Sequence, residues 1–279
     1  MMLDLTSGKA KLGFGLTAGL IGFFLFFPVY WLVISSLKTN EELYRIIPTI
    51  YPQSLSLEHF RYALTEGGLL LQLGNTLFVS LGSAVINCTM AVYAGYSFAK
   101  YRYFGRRPVM LFMLSAQMFP FGLLLITIYP MFTGWGLLDT RGGLMISYIV
   151  FALPVATYML YSYFSQVPNE LIEAARADGA SDLRIFHTIV LPISVAPIVT
   201  VFLYSFMWSW NDLLYSLTLI VSEDKRTVGP GILLTYLNDS RSDWGGAMAA
   251  SILASVPVIV AFMALQRFFI EGVTAGAVK

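Results

Sequence analysis

The sequence predicts an all-α membrane protein with six transmembrane helices. Hydrophobic residues make up 57% of the 279 positions and charged residues only 12%, whereas a soluble domain carries about 25% charged residues. Six apolar segments are long enough to cross a hydrocarbon core, which needs about 20 helical residues. Because lipid offers no partners to backbone polar groups, we expect these segments to be helices. The six spans lie at Leu12–Leu37, Gln72–Ala99, Pro108–Tyr129, Leu144–Phe164, Pro192–Ile220 and Gly246–Gln266.

Basic residues in the connections predict the orientation of these spans. Connections on the cytoplasmic side carry an excess of lysine and arginine, and six such residues flank spans 1, 2 and 3: Lys9, Lys11, Lys100, Arg102, Arg106 and Arg107. Both termini and the connection between spans 4 and 5 are then cytoplasmic. We expect a tail at 1–11, a permease domain at 12–266 and a second tail at 267–279, with the more acidic connections, including Asp139 and Asp239, on the opposite side.

Composition argues against several other functions. A net charge of +1 lacks the basic footprint of a nucleic-acid-binding protein. The single cysteine, Cys88, has no partner for a disulfide, and with only His59 and His187 we expect no metal site. The sequence contains no phosphate-binding loop and no nucleophile–base arrangement, so we expect neither catalysis nor a bound cofactor.

A polar segment at 168–192 separates spans 4 and 5 and predicts a short helix. Pro168 suits a first helical turn, where its missing N–H costs nothing. Glu170 and Glu173 follow in the first turns, where carboxylates complement the helix dipole. Gly179 can adopt a left-handed conformation and so end the helix.

A second short helix is predicted after this turn. Ser181 can cap a helix from Asp182 to Val190, and Pro192 then leads into span 5. A helix that merely lies on the membrane would carry basic residues on one face and large apolar residues on the other. The first helix offers alanines and acids instead, a flat face that suits docking into a groove of another protein.

The polar segment resembles the EAA loop of ABC-importer permeases at seven fixed positions: Glu173, Ala174, Ala175, Gly179, Ile189, Leu191 and Pro192. The likeness to the carbohydrate-uptake branch, in particular the maltose/trehalose-type second permease, covers nearly the whole chain. It rests on Met118-Phe119-Pro120, Gly136-Leu137-Leu138-Asp139-Thr140, Leu153-Pro154, Val167-Pro168, Trp210-Asn211-Asp212 and the tail from Gly272 to Lys279.

The resemblance implies a type I ABC importer permease fold with a cytoplasmic coupling helix between spans 4 and 5. It implies one half of a heterodimer with a second, related permease in the lipid of a prokaryotic cytoplasmic (inner) membrane. Two ATPase subunits, which hold ATP and Mg, would dock on the EAA loops, and an extracytoplasmic binding protein would deliver the sugar. Glu173 would contact the ATPase, and Gly179 would set the angle between the two short helices.

Polar and aromatic residues in the spans are candidates for the substrate path: Asn211, Asp212, Trp208, Tyr204 and Gln117. A carboxylate at mid-membrane is costly and should face the bundle or water, so Asp212 is either a polar lining or an anchor between helices. For Gln117, as for Asn75 and Asn87, an interhelical hydrogen bond is favoured over a contact with a ligand. Tyr148, Tyr158 and Trp210 are further aromatic residues that could stack on sugar rings.

Three other functions compete with sugar uptake. An ABC permease for a polyol, glycerol phosphate or an acidic oligosaccharide would need basic residues along the path if its substrate were anionic, and no span interior has one. A secondary transporter would need several ionisable residues at mid-membrane, where this chain has essentially Asp212 alone. A structural membrane subunit with no path would not need the coupling loop.

Overall fold

The computed structural model describes the backbone of residues 8–238 and 242–277, and the side chains of 11–238 and 242–266. The predicted tails therefore lie largely outside the described side chains, and Asp239 lies outside altogether. Within the described ranges the chain is helical, with no strand. The α-helices are α1 Gly8–Ser36, α2 Asn40–Leu43, α3 Glu58–Thr65, α4 Leu69–Lys100, α5 Arg106–Ser115, α6 Leu125–Gly134, α7 Arg141–Gln166, α8 Asn169–Ala177, α9 Asp182–Ile185, α10 Leu191–Ile193, α11 Val195–Trp210, α12 Leu214–Leu219, α13 Val228–Tyr236 and α14 Trp244–Ala277.

Four helices in the described part of the chain are long and apolar enough to cross a membrane: Lys11–Ser36, Leu69–Lys100, Arg141–Gln166 and Trp244–Gln266. Two further helical pairs meet the same criteria together but are bent at a short break. The number of spans is therefore four, or up to six if each bent pair crosses once. This agrees with an all-α membrane protein and leaves the exact count open.

The first bent pair divides the span that the sequence predicted over Pro108–Tyr129. Arg106–Met118 and Phe121–Gly134 meet at 95°. Pro120 has no N–H to donate to the preceding turn, and a residue before proline is pushed out of the helical region. Phe119 accordingly adopts φ −76° and ψ 134°, so the helix ends there and the chain turns.

The second bent pair corrects the prediction for span 5. Asp182–Ile193 and Val195–Trp210 meet at 80°, with Ser194 at the junction. The predicted span Pro192–Ile220 is also interrupted at its other end, because α11 stops at Trp210 and α12 begins only at Leu214. The Trp-Asn-Asp element thus marks the end of a helix rather than its middle.

The described chain forms two compact units. The first comprises the chain up to Leu69 together with 232–255. Lys38 in this unit is only 2% exposed. Its Nζ donates to the carbonyl oxygen of Thr49 at 2.5 Å and lies 4.9 Å from the ring centroid of Trp31. A buried ammonium is stable only with such partners, so this lysine pins the chain after α1.

The second unit comprises 70–231 and the chain from Val256 onward. In it α4 and α7 approach closely at Gly95, where a Cβ would lie 2.9 Å from Cβ of Leu160 and 3.0 Å from the backbone nitrogen of Tyr161. Asn87 on α4 also donates to Oγ of Ser205 on α11 at 2.5 Å, which agrees with the predicted interhelical hydrogen bond.

The turn between α6 and α7 is tied to the segment after α12 by one carboxylate. Asp139 has φ 55°, a left-handed conformation that few residues other than glycine, asparagine and aspartate accept. Its carboxylate accepts hydrogen bonds from the backbone amides of Val221 and Ser222 at 2.9 and 2.8 Å, from the Ser222 hydroxyl and from Nζ of Lys225 at 2.9 Å. Burial alone would raise the pKa of Asp139, but these donors outweigh it and hold the pKa well below its usual value.

We expect the hydrogen bonds and the ion pair of the Asp139 carboxylate to make the stability of the protein depend on pH. The folded-state pKa is depressed, so the full contribution is present above the usual pKa near 3.8 and is lost progressively as pH falls below that value towards the folded-state pKa. Asp139→Asn keeps the side-chain shape and tolerates the left-handed backbone but cannot pair with Lys225. The expected result is a thermal midpoint several degrees below wild type at pH 7, with the difference shrinking towards pH 3.

Thermal unfolding of the purified protein in detergent across this pH range measures the difference. Glu66→Gln is the matched control, because the Glu66 side chain is exposed and has no hydrogen bond or ion pair in the described structure. A difference between Asp139→Asn and wild type that stays constant from pH 7 to pH 3 would contradict the assignment.

Candidate functional site

The polar segment at 168–192 folds as the sequence predicted, with one addition. Pro168 stands at the N-cap of α8, and Gly179 has φ 82°, the left-handed conformation that ends the helix. Ser181 caps α9 by accepting a hydrogen bond from the amide of Arg184 at 3.4 Å. Between α9 and α10 the chain widens into a π-helix at Phe186–Val190, which the sequence did not reveal. Pi-helical turns occur mostly as single turns and often at functional sites.

The seven motif residues divide between two faces of this segment. Glu173, Ala174, Gly179 and Pro192 are exposed. The other three face the body of the chain: Ala175 is only 8% exposed and belongs to the core, while Ile189 and Leu191 are half-buried against it. The motif therefore combines an outward face of acid and small residues with an inward face that fixes the segment in place.

The two short helices are joined by an ion pair across the glycine turn. Nε of Arg176, near the end of α8, lies 2.9 Å from Oδ1 of Asp182, the first residue of α9. Both side chains are about half exposed, so solvent screens the pair and its contribution to stability is small. The Glu173 carboxylate takes no part in this ion pair, and it has no hydrogen bond or ion pair to any residue that the structure describes.

A cleft of about 540 Å³ opens at the end of α11. This volume is within the range of small-molecule sites, about 300–1,000 Å³. Four of the five predicted path residues line it, namely Tyr204, Trp208, Asn211 and Asp212, and the other lining residues are Phe121, Met207, Leu213 and Leu214. The Phe121 ring lies edge-on to the Trp208 ring, with centroids 5.5 Å apart. The cleft therefore combines aromatic faces with one amide and one carboxylate, and it has no basic residue.

Asp212 is a helix cap and an interhelical anchor. Its carboxylate accepts hydrogen bonds from the backbone amides of Tyr215 and Ser216 at 3.2 and 2.8 Å, in the first turn of α12. The hydroxyl of Tyr148 on α7 donates to Oδ2 at 2.8 Å. These hydrogen bonds hold the carboxylate between α12 and α7, and Asp212 also lines the cleft.

Gln117 does not belong to this cleft. It is not among the lining residues, and its Nε2 donates to the carbonyl oxygen of Phe151 on α7 at 2.9 Å. The amide thus joins two helices, the role that the sequence favoured.

The other aromatic candidates are also absent from the lining. Tyr148 and Trp210 are 1% and 6% exposed, and Tyr158 does not border the cleft. Phe121 was missed by the sequence analysis, although it directly follows the Met-Phe-Pro element that breaks the helix.

The described part of the chain is helical and includes several helices long enough to cross a membrane. It also has a cleft at a helix break and a capped loop of two short helices. These features define a polytopic membrane protein of the kind that serves transport. The chain belongs to the family of binding-protein-dependent transport system inner membrane components, whose match covers residues 89–274. The resemblance to ABC-importer permeases drawn from its residues is confirmed.

Relatives and a solved structure support this assignment along most of the chain. The maltodextrin transport system permease protein MdxG of Bacillus subtilis is 35% identical over 81% of this chain and 81% of its own length. The diacetylchitobiose uptake system permease protein DasC of Streptomyces coelicolor is 30% identical over 91% of this chain and 92% of its own. A chain of a bacterial ABC transporter involved in the import of the acidic polysaccharide alginate superposes with a TM-score of 0.81, covering 95% of this chain and 99% of its own at 21% identity, which confirms the fold.

We expect loss of the Asp212 carboxylate to reduce assembly before it affects specificity. Removing a helix cap costs on the order of 0.5–2 kcal/mol, and Asp212→Ala also leaves the Tyr148 hydroxyl without its acceptor. Tyr148→Phe removes only that one hydrogen bond and should be milder. The yield of folded protein by size-exclusion chromatography and its thermal midpoint should therefore rank wild type above Tyr148→Phe above Asp212→Ala. Equal yield and midpoint for Asp212→Ala and wild type would contradict the anchoring role.

Proposed function

We propose that this chain is the transmembrane permease subunit of an ATP-driven, binding-protein-dependent importer of neutral oligosaccharides, such as maltose, maltodextrin or trehalose. In this proposal each bent pair contributes one span, which gives six, and Val195–Trp210 is the part of the second pair that crosses the membrane. Both termini and the segment at 168–192 face the cytoplasm of a prokaryotic cell. A second permease completes the path, and the ATPase subunits hold ATP and Mg.

The cleft at the end of α11 is the observation that carries the substrate class. Sugar rings present apolar C–H faces and a rim of hydroxyls. Aromatic rings complement the faces, and amide and carboxylate groups bind the hydroxyls. The Trp208 indole and the Tyr204 hydroxyl have no hydrogen bond to another described residue. The Asn211 side chain spends one N–H on the carbonyl oxygen of Met207 and keeps its own oxygen for a ligand.

The charge of the cleft favours a neutral sugar over an acidic one. An anionic substrate is bound best by arginine or lysine, and no lining residue is basic. The carboxylate of Asp212 would repel it. The relatives named for maltodextrin and diacetylchitobiose agree with a neutral glycan, whereas the transporter named for alginate is similar at only 21% identity and lends no support to an acidic one.

The segment at 168–192 is the proposed coupling loop. Its outward face carries Glu173 and Ala174, and the Glu173 carboxylate has no hydrogen bond or ion pair within the described chain. An exposed acid on a flat surface of small residues suits a groove lined with donors on an ATPase subunit. The inward residues Ala175, Ile189 and Leu191 would carry the movement of the loop into the membrane helices.

The first test of this function is ATPase stimulation. We expect the complex in nanodiscs, supplied with its binding protein, to hydrolyse ATP several-fold faster with one α-glucoside from a panel of maltose, trehalose and longer maltodextrins. Glu173→Lys should abolish this stimulation with no loss of complex yield, because it reverses the charge at the docking face. Glu66→Lys should not.

Basal activity without stimulation by any neutral sugar would contradict the substrate class. Full stimulation of the Glu173→Lys complex would contradict the coupling role of the loop.

We expect the turn at Gly179 to tolerate asparagine and not proline. A Cβ at Gly179 would meet no atom within 4 Å, so only the positive φ restricts this position. Asparagine enters the left-handed region readily, whereas proline fixes φ near −65° and would change the angle between α8 and α9. Uptake of radiolabelled sugar should stay within about twofold of wild type for Gly179→Asn and vanish for Gly179→Pro. Equal uptake by the two variants would show that the turn angle does not matter.

A further inference from the structure

The cytoplasmic end of α4 contacts both halves of the proposed coupling loop. Lys100 is the last residue of α4. Its Nζ donates to the carbonyl oxygen of Val167 at 2.6 Å and to Oδ1 of Asn169 at 2.9 Å. These two residues stand on either side of Pro168, where α7 ends and α8 begins. One ammonium group therefore spans the hinge of the loop.

The junction between α7 and α8 needs a hydrogen-bond donor such as Lys100, because backbone carbonyl groups at the end of α7 lack partners. Pro168 prevents α7 from continuing, and the last carbonyl groups of a helix have no intrahelical donor. A cation near these carbonyls also complements the negative end of the helix dipole. The second contact, to Asn169 in the first turn of α8, converts this cap into a link between the two helices.

The same face of α4 reaches the second half of the loop. Tyr93, seven residues before Lys100 and so two turns away on one face, lies with its Oη 3.1 Å from Nε2 of His187 in the π-helix. Because Nδ1 of His187 lies 2.8 Å from a carbonyl oxygen, that of Leu183, Nδ1 donates and Nε2 accepts in the neutral ring. Between them, Tyr96 packs against Phe186 with ring centroids 4.6 Å apart.

We propose that Lys100 is a positioning residue that fixes α8 relative to α4 and α7, so that movement of the coupling loop is transmitted to α4 as well as to α11. The inference rests on the proposed function of the loop. Since α4 and α7 are already in backbone contact at Gly95, a loop held by Lys100, Tyr96 and Tyr93 moves together with both helices. Without the ammonium group, α8 can move while α4 stays in place.

The test compares three substitutions in the complete complex. Lys100→Met keeps the length of the side chain without its charge, and Lys100→Arg keeps the cation. Lys11→Met removes a charge from an exposed lysine whose ammonium group has no hydrogen bond or ion pair in the described structure. Hydrogen–deuterium exchange of the amides at 169–177 reports the docking of α8 without any substrate. Sugar transported per ATP hydrolysed reports coupling.

We expect Lys100→Met to exchange these amides several-fold faster and to lower the coupling ratio at least threefold while basal ATP hydrolysis persists. Lys100→Arg should restore most of both values, and Lys11→Met should match wild type. Unchanged exchange in Lys100→Met would overturn the positioning role, and faster exchange with an unchanged coupling ratio would overturn the transmission to α4. If wild type itself shows no sugar stimulation, the substrate proposal fails, and the exchange measurement still decides the role of Lys100.

Discussion

The structure depends on one constraint: hydrocarbon offers no hydrogen-bond partners to a backbone that leaves its helix. At the two bends of this chain, side chains supply such partners. Tyr215 donates its hydroxyl to the carbonyl oxygen of Phe121 at 2.9 Å beyond the Pro120 bend. Tyr163 donates to Ile193 at 2.8 Å and Ser194 to Val190 at 2.6 Å at the second bend. The helix breaks are thus built into the sequence together with their partners.

The cleft is a consequence of the Pro120 bend and of a second break, between α11 and α12. One places Phe121 at its wall, and the other ends α11 at Asn211. There the Asn211 amide and the Asp212 carboxylate satisfy the ends of α11 and α12. The polar groups that stop a helix inside an apolar region are also groups that can bind hydroxyls, and both of these residues line the cleft. Discontinuous helices line the substrate sites of other transporters for the same reason.

The sequence predicted local features well and tertiary ones poorly. Gly179 and Ser181 were assigned correctly, because left-handed turns and helix caps depend on one or two neighbouring residues. A single proline does not predict the 95° bend at Pro120, since that angle is set by the helices that pack around it. The partner of Asp212, Tyr148, lies 64 residues away, and that of Gln117 lies on another helix. No local pattern encodes such pairings, so the sequence did not identify these partners. The π-helix at Phe186–Val190 likewise has no simple sequence signature.

The contrast between Asp212 and Glu173 separates a polar residue that the fold requires from one that it does not. Asp212 lies in an apolar span, where a charge is costly, and three hydrogen bonds within the chain account for its presence. Glu173 lies on an exposed helix with no partner in the described chain, among small residues that contribute little packing of their own. Its replacement would cost this subunit almost nothing in stability. The surface around Glu173 is flat and acidic, and Ala175 and Lys100 hold it in position on its inner side. Its physical rationale lies in the neighbouring subunit that it is proposed to contact.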